Sequence, residues 1–397
     1  LSKPVTVNLQ GKLRKLGVFA VYMLLAVAAA LPATVCAHAE TSPPSVSARS
    51  AILIETSTGR VLFEKDADTR RPMASTTKIM TTVVALENGD LNERVVIPST
   101  AVGIEGSSIY LYTDEELTLG ELLYAVMLES ANDAATAVAI EIAGSVAAFA
   151  ELMNRKAAEL GMANTCFANP HGLDHENHYT TARDLATLTR YAMQNPIFRE
   201  ICATRRKTIP LRDGGGVRLL LNHNRLLRLY PYAIGVKTGF TKRSGRCLVS
   251  AAERDGVELV AVTLNASDDW NDHTAMLEYG FSQLECVTLA EAGTLSYALP
   301  VVGGTSPYVF VNNLRTVTAV LPKERGEITC ELRLKNFYYA PVLKSQPLGK
   351  AVWHCDGNTI AECELTASFD IPRQREKTIW EWLAGLFAGF KLLIQGM

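Results

Sequence analysis

The sequence predicts an α/β (α+β) protein in which a helix-flanked antiparallel sheet is followed by a small all-β domain and a C-terminal amphipathic helix. Three observations lead there. Strand patterns of period two stand at both ends of a helical middle between Ala48 and Gln283. From Cys286 to Pro372 the helical signal disappears and strand-like runs alternate with turn residues. A last stretch, Thr378 to Ile394, repeats apolar residues at helical spacing. With 397 residues, 48% of them hydrophobic, the chain can bury a large core, and its length suggests two domains rather than one.

Taken in order, residues 1–39 read as a secretory signal. Lys3, Lys12, Arg14 and Lys15 precede an apolar run from Leu16 to Leu31, and Ala37-His38-Ala39 offers small residues at a cleavage site. The alternative is an uncleaved membrane anchor, and either reading exports the body. Cys36 follows the bulky Val35, which argues against lipidation. Residues 40–47 form a Ser/Pro-rich linker. Ala48 to Lys65 is a strand pair turning at Ser57-Thr58-Gly59. Ser75 to Asn88, closed by Gly89, suits a helix, as do Leu119 to Ala143, Val146 to Leu160 and Ala182 to Met193. Ile234 to Gly239 is a strand, and Arg246 to Arg254 and Val257 to Asn265 flank the hairpin signal Asp255-Gly256. This main domain spans 48–283. The small domain, 286–372, contains the runs Tyr308 to Leu321, Ile328 to Leu334 and Thr359 to Ala367. Residues 373–397 hold the terminal helix.

Charge and cysteine content narrow the function. The net charge is -2, and the first 39 residues carry four basic and no acidic residues, so the body is mildly acidic and nucleic acid is not the expected partner. Seven cysteines lie beyond the signal, an odd number that cannot pair completely within one chain. A hairpin turning near Gly357 would not place Cys355 opposite Cys363. No metal-ligand spacing of cysteines appears, and no metal or organic cofactor is expected.

Three short motifs carry the chemistry: Ser75-Thr76-Thr77-Lys78, Ser130-Ala131-Asn132 and Lys237-Thr238-Gly239. Each alone is common; together, with the first opening a helix and the last on a strand before a hairpin, they point to a nucleophilic serine. Residues three apart share a helix face, so Lys78 can reach the Ser75 hydroxyl and act as its base, provided that burial and a nearby cation such as Lys237 disfavour its ammonium form. Lys78 should therefore be buried. The Ser75 N–H, at the helix mouth, would form half of an oxyanion hole, with the N–H of Phe240 as the other half. Ser130 is placed to shuttle a proton to a leaving amine, and the Asn132 amide to orient substrate and Lys78; the competing reading is that the pair only caps the helix near Asp133. Lys237 supplies a fixed positive charge, Thr238 a hydroxyl and Gly239 an open strand edge, a set suited to a peptide that ends in a carboxylate.

The trio, with Asn169-Pro170-His171-Gly172-Leu173 and Tyr179-Thr180-Thr181-Ala182-Arg183-Asp184-Leu185-Ala186, resembles the D-alanyl-D-alanine carboxypeptidases, the low-molecular-mass penicillin-binding proteins, from about Ala48 to the C-terminus. The resemblance implies a β-lactamase/transpeptidase-like main domain, a small β domain and an amphipathic anchor. It also implies removal of the terminal D-alanine from peptidoglycan stem pentapeptides through an acyl-enzyme, with β-lactam antibiotics as inhibitors. Ala131 stands where related β-lactamases often have Asp, and no deacylating Glu is identified. A β-lactamase and a catalytically inactive cell-wall-binding homologue are the rival readings.

Two further features complete the reading. His171, His175 and His178, with Glu176, lack the i, i+4 spacing of a helical metal site and read as a polar surface loop. Ile379, Leu383, Leu386, Phe390 and Leu393 form an apolar helix face, with Trp380 and Trp382 at its start and Arg373, Arg375 and Lys377 before it. Aromatic and basic residues side by side suit a helix lying on an anionic bilayer, at the outer face of the cytoplasmic membrane; an ordinary core-packing helix is the alternative.

Overall fold

The computed structural model describes residues 42–211, 215–375, 379–381 and 383–384. The expected signal peptide and most of the expected C-terminal helix lie outside them. The chain enters β1 (Ser50–Glu55) and returns in β2 (Val61–Lys65). A 3-10 turn, Ala74–Thr77, runs into α1 (Lys78–Asn88), and the short strands β3 (Arg94–Val96) and β4 (Glu116–Thr118) pair ahead of the helical middle. That middle comprises α2 (Leu119–Leu128), α3 (Asn132–Ala143), α4 (Val146–Glu159), α5 (Ala182–Ala192) and α6 (Pro196–Ala203). The hairpin β5 (Arg206–Pro210) and β6 (Val217–Leu221) and the short α7 (Leu226–Leu229) follow. Three long strands, β7 (Ala233–Thr241), β8 (Gly245–Arg254) and β9 (Val257–Ala266), lead to α8 (Asp269–Gln283).

The central sheet has the order β2-β1-β9-β8-β7 with all neighbours antiparallel. Asp255 and Gly256 both take positive φ, 52° and 78°, which matches the twist of a tight hairpin and sets Arg254 opposite Val257. Period-two alternation then gives this sheet two apolar faces. Val249, Ala251, Val260 and Val262 pack against the helical middle, and Leu248, Ala252, Leu259 and Ala261 pack against Met276, Leu277 and Phe281 of α8. Both faces are covered. Side-chain caps fix where helices begin: Thr118 and Glu121 form a capping box for α2, and Thr181 and Asn195 cap α5 and α6.

Three local expectations are corrected. The run Leu119 to Ala143 is not one helix, because Ser130 takes a left-handed φ of 60° and separates α2 from α3. Helices α6 and α8 were not expected, although Asn195-Pro196 is a cap followed by proline at the first helical position. The run Tyr308 to Leu321 is two strands, which belong to different sheets.

From Leu284 onward the described elements with defined ranges are strands: β10 (Leu284–Ala290), β11 (Ser296–Val302), β12 (Tyr308–Asn312), β13 (Val317–Pro322), β14 (Ile328–Leu334), β15 (Tyr338–Tyr339), β16 (Pro347–Cys355) and β17 (Asn358–Ala367). Strands β10 and β13 pair with each other, and the remaining six form a sheet in the order β14-β16-β17-β12-β11-β15, its last pair parallel. Leu299, Val301, Val309, Val311, Trp353 and Leu365 fill a core of their own. Cys355 faces Asn358 and Cys363 faces Ala351, so the two thiols are not opposed.

Candidate active site

Ser75 lies in the 3-10 turn and Lys78 is the first residue of α1. Three residues per turn stack the two side chains, and Lys78 Nζ is 3.1 Å from Ser75 Oγ. The amine also donates to Asn132 Oδ1 at 2.7 Å and to the His171 carbonyl at 2.6 Å. Lys78 is wholly buried, as expected. Burial, then the charge of Lys237, holds its pKa well below the usual lysine range, against the opposing pull of Asp133. These contacts decide how a neutral amine would sit. Its two hydrogens belong to the Asn132 and His171 oxygens, which cannot donate, so its lone pair is left facing the Ser75 hydroxyl.

Backbone packing holds this geometry from two sides. Asn169 Oδ1 accepts from the Gly172 N–H at 2.7 Å, its Nδ2 donates to the Leu173 carbonyl at 2.9 Å, and Thr81 Oγ1 donates to the Pro170 carbonyl at 2.5 Å. The loop is thereby fixed with the His171 carbonyl aimed at Lys78. Gly172 has φ 91°, and a Cβ there would overlap the Ala74 carbonyl. On the other side a Cβ at Gly239 would come within 3.0 Å of the Ser75 nitrogen. The serine turn is gripped between two glycines.

The facing wall is the break between α2 and α3. Ser130 and Asn132 are both buried, and the N-cap of α3 is Ala131, with no side-chain cap bond. The Asn132 N–H donates to the Ser107 carbonyl at 2.7 Å and its Nδ2 to the Glu105 carbonyl at 2.5 Å, which orients Oδ1 toward Lys78. The Asp133 carboxylate takes the Ser108 hydroxyl at 2.6 Å and the N–H groups of Ile109 and Leu111 at 3.3 and 3.1 Å. It ties the 105–111 loop to the start of α3. Ser75, Ser130, Thr238, Gly239 and Phe240 line one cleft of about 350 Å³, and Arg246 joins them.

Known proteins resemble this chain in sequence and fold. The model of the D-alanyl-D-alanine carboxypeptidase family matches residues 37–268. The D-alanyl-D-alanine carboxypeptidase DacF of Bacillus subtilis is 32% identical over 88% of this chain and 92% of its own length. The chain belongs to the D-alanyl-D-alanine carboxypeptidase family. The DacA carboxypeptidase of Escherichia coli is 31% identical over 83% of this chain and 85% of its own. Among solved structures, penicillin binding protein 5 from Haemophilus influenzae aligns with a TM-score of 0.63 at 27% identity, covering 84% of this chain and 99% of that one. A point mutant of the Streptomyces K15 DD-transpeptidase aligns over 60% of this chain and 99% of its own, with a TM-score of 0.58 and 34% identity.

Two expectations about the site of this carboxypeptidase change. Lys237 is buried rather than exposed to solvent, and burial pushes its pKa down to about 7 against the opposing charge of Glu129, so its charge is less firmly held than that of a surface lysine. The permanently charged group in the cleft is Arg246 on β8, directly opposite Phe240 in the strand register and ion-paired with Asp269. Sequence reasoning missed it, because a lone arginine beside a turn carries no motif; the hairpin register was the available signal.

The histidines are not a polar surface loop, because only His175 is exposed. His178 Nδ1 accepts from the Ala168 N–H at 3.0 Å, so Nε2–H donates to Thr77 Oγ1 at 2.8 Å, and that hydroxyl donates to the Ala74 carbonyl at 2.7 Å. His178 thus braces the serine turn from behind. Burial is the main reason that the pKa of His178 is lowered to about 4 and that of His171 to about 3. Among the described residues no cluster of three or more His, Cys, Asp or Glu side chains could hold a metal ion.

Proposed function

We propose that the protein removes the C-terminal D-alanine of peptidoglycan stem pentapeptides and that Ser75 carries the acyl group. Neutral Lys78 takes the Ser75 proton as Oγ attacks the penultimate carbonyl, and the N–H groups of Ser75 and Phe240 receive the developing oxyanion. Ser130 relays a proton to the leaving amine, while Asn132 orients Lys78. Lys237, Thr238 and Arg246 hold the substrate carboxylate, and Gly239 leaves the strand edge open to the peptide. The carboxylate that lines the cleft, Asp269, is paired with Arg246, so Lys78 also serves as the base for the water that cleaves the ester. β-Lactam antibiotics acylate the same serine.

The observation that carries this reading is the 3.1 Å approach of a buried amine, held well below its ordinary pKa, to the serine hydroxyl. Mass spectrometry after penicillin treatment tests it: one adduct on Ser75 is expected, and an adduct that persists in Ser75→Ala overturns it. The reading includes export to the outer face of the cytoplasmic membrane, residues 48–283 as the catalytic domain, 286–372 as a separate β domain, and residues 373–397 lying on the bilayer.

A further inference from the structure

We propose that the outward face of β11, β12 and β15 is a second bilayer-contacting surface. The inference deepens the reading of residues 373–397 as a membrane-lying segment and rests on it. Leu299, Val301, Val309 and Val311 point into the core of the six-stranded sheet. Their alternates should be polar if that face met water. Instead Pro300 faces Tyr308, Ala298 faces Phe310 and Val302 faces Tyr339, all on the outer side. Tyr339 is 70% exposed, Tyr308 53% and Phe310 49%, and Phe337 stacks edge-on to Tyr339 with centroids 5.4 Å apart. Across β11, β12 and β15 the outer side is therefore largely apolar and bare, while the neighbouring β14, β16 and β17 expose the ion-paired Glu331, Arg333, Lys350 and Glu362.

The path of the chain favours a bilayer as its cover. Arg373 bridges to Gly304 and the Gln374 N–H donates to the Gly303 carbonyl at 2.7 Å, so the chain leaves the sheet at the turn between β11 and β12, beside Val302 and Tyr308. Arg373 and Arg375 are exposed there, and Ile379 and Trp380, 73% and 78% exposed, follow within about 20 Å of extended chain. Exposed tyrosines on an apolar face, with exposed arginines on the chain that leaves its edge, suit an anionic interface.

Vesicles of phosphatidylcholine with about 30% phosphatidylglycerol and the full chain provide the test. Hydroxyl-radical labelling of the unaltered protein should be slowed by vesicles at Tyr308, Phe310 and Tyr339. The triple variant Tyr308→Ser, Phe310→Ser, Tyr339→Ser should bind at least about tenfold more weakly while its penicillin acylation rate stays unchanged. Unaltered labelling of these three side chains, with unaltered vesicle affinity of the triple variant, overturns the proposal. A separate variant, Ile379→Ser, Leu383→Ser, Leu386→Ser, distinguishes the two readings: full binding by it with loss in the face variant sinks the terminal segment's role and keeps the face. Conversion of a vesicle-free dimer to a monomer by the face variant assigns the patch to a second copy and also overturns the proposal.

Discussion

The central sheet and the β11-β12-β15 part of the six-stranded sheet carry apolar residues on both faces, and only the first is covered on both sides; the β14-β16-β17 part instead exposes Glu331, Arg333, Lys350 and Glu362. In β9, Leu259 and Ala261 meet α8 while Val260 and Val262 meet the helical middle. In β12, Val309 and Val311 meet a core while Tyr308 and Phe310 meet solvent. The first sheet can therefore wall a dry pocket in which charged groups are forced off their ordinary pKa values, and the second cannot. The catalytic motifs follow the covered sheet, and the proposed bilayer contact the bare one.

The largest effect that would sharpen this contrast is on acylation. Lys78→Ala should lower the rate of labelled-penicillin attachment by about 10²- to 10⁴-fold with the fold intact, and a loss under about threefold would remove Lys78 as the base. Gly172→Ala comes next. Strain at φ 91° and overlap with Ala74 should cost about 2–4 kcal/mol in urea unfolding, and a neutral outcome would show that the serine turn is free to shift.

Arg246→Gln should lower kcat/KM about ten- to a hundredfold on a peptide with a free C-terminal carboxylate, and much less on its amide. Its pH profile carries a second readout. Acylation rises with pH as Lys78 loses its proton, and carboxylate binding falls as Lys237 loses its own near pH 7. With Arg246 present the fall should level off; in Arg246→Gln it should continue. A profile identical in both proteins would show that Arg246 does not share the carboxylate.

A smaller effect concerns stability. His178 and His273 are buried and His171 is half-buried, and burial lowers the pKa of His171 to about 3, of His178 to about 4 and of His273 to about 3. Below about pH 6.5 the unfolded chain binds protons at these rings that the folded chain excludes, so stability should fall as pH drops from about 6.5 toward 4. His178→Gln should flatten that slope in urea titrations at several pH values. The smallest effect belongs to the bare sheet: Tyr308→Ser should leave acylation unchanged and shift stability by no more than about 0.5 kcal/mol. A change in acylation there would break the division of labour.

Much of the site was legible in the sequence, because its reactive groups sit in short motifs whose spacing equals one helical turn or one strand step. Ser75 and Lys78 meet, and Asn132 reaches them, as residue type and order suggest. The supporting parts are less visible. The acceptor that holds Lys78 is a backbone carbonyl, which has no letter of its own, and Arg246 reaches the cleft only through the β7–β8 register. The break at Ser130 was partly legible, since Ser130, Asn132 and Asp133 compete with helix for backbone bonds and suit a loop or cap, although the run from Leu119 to Ala143 also reads as helical; the left-handed serine sits beside the contacts of Asn132 and Asp133. Helix α8 was missed for the opposite reason, since its exposed face and buried Asp272 and His273 blur the apolar stripe.

Gly172 and Gly239 both lie against the backbone of the nucleophile's turn, so closely that a single added carbon at either would meet it, which leaves that turn little room to recoil once a bulky acyl group is attached. Across the cleft the 105–108 segment is tied to the start of α3 by the Asn132 side chain at the Glu105 carbonyl, by the Asn132 N–H at the Ser107 carbonyl and by the Asp133 carboxylate at the Ser108 hydroxyl, so it is the wall with room to yield. The rigid jaw sets where the reaction happens; the tethered jaw sets how large a guest can remain.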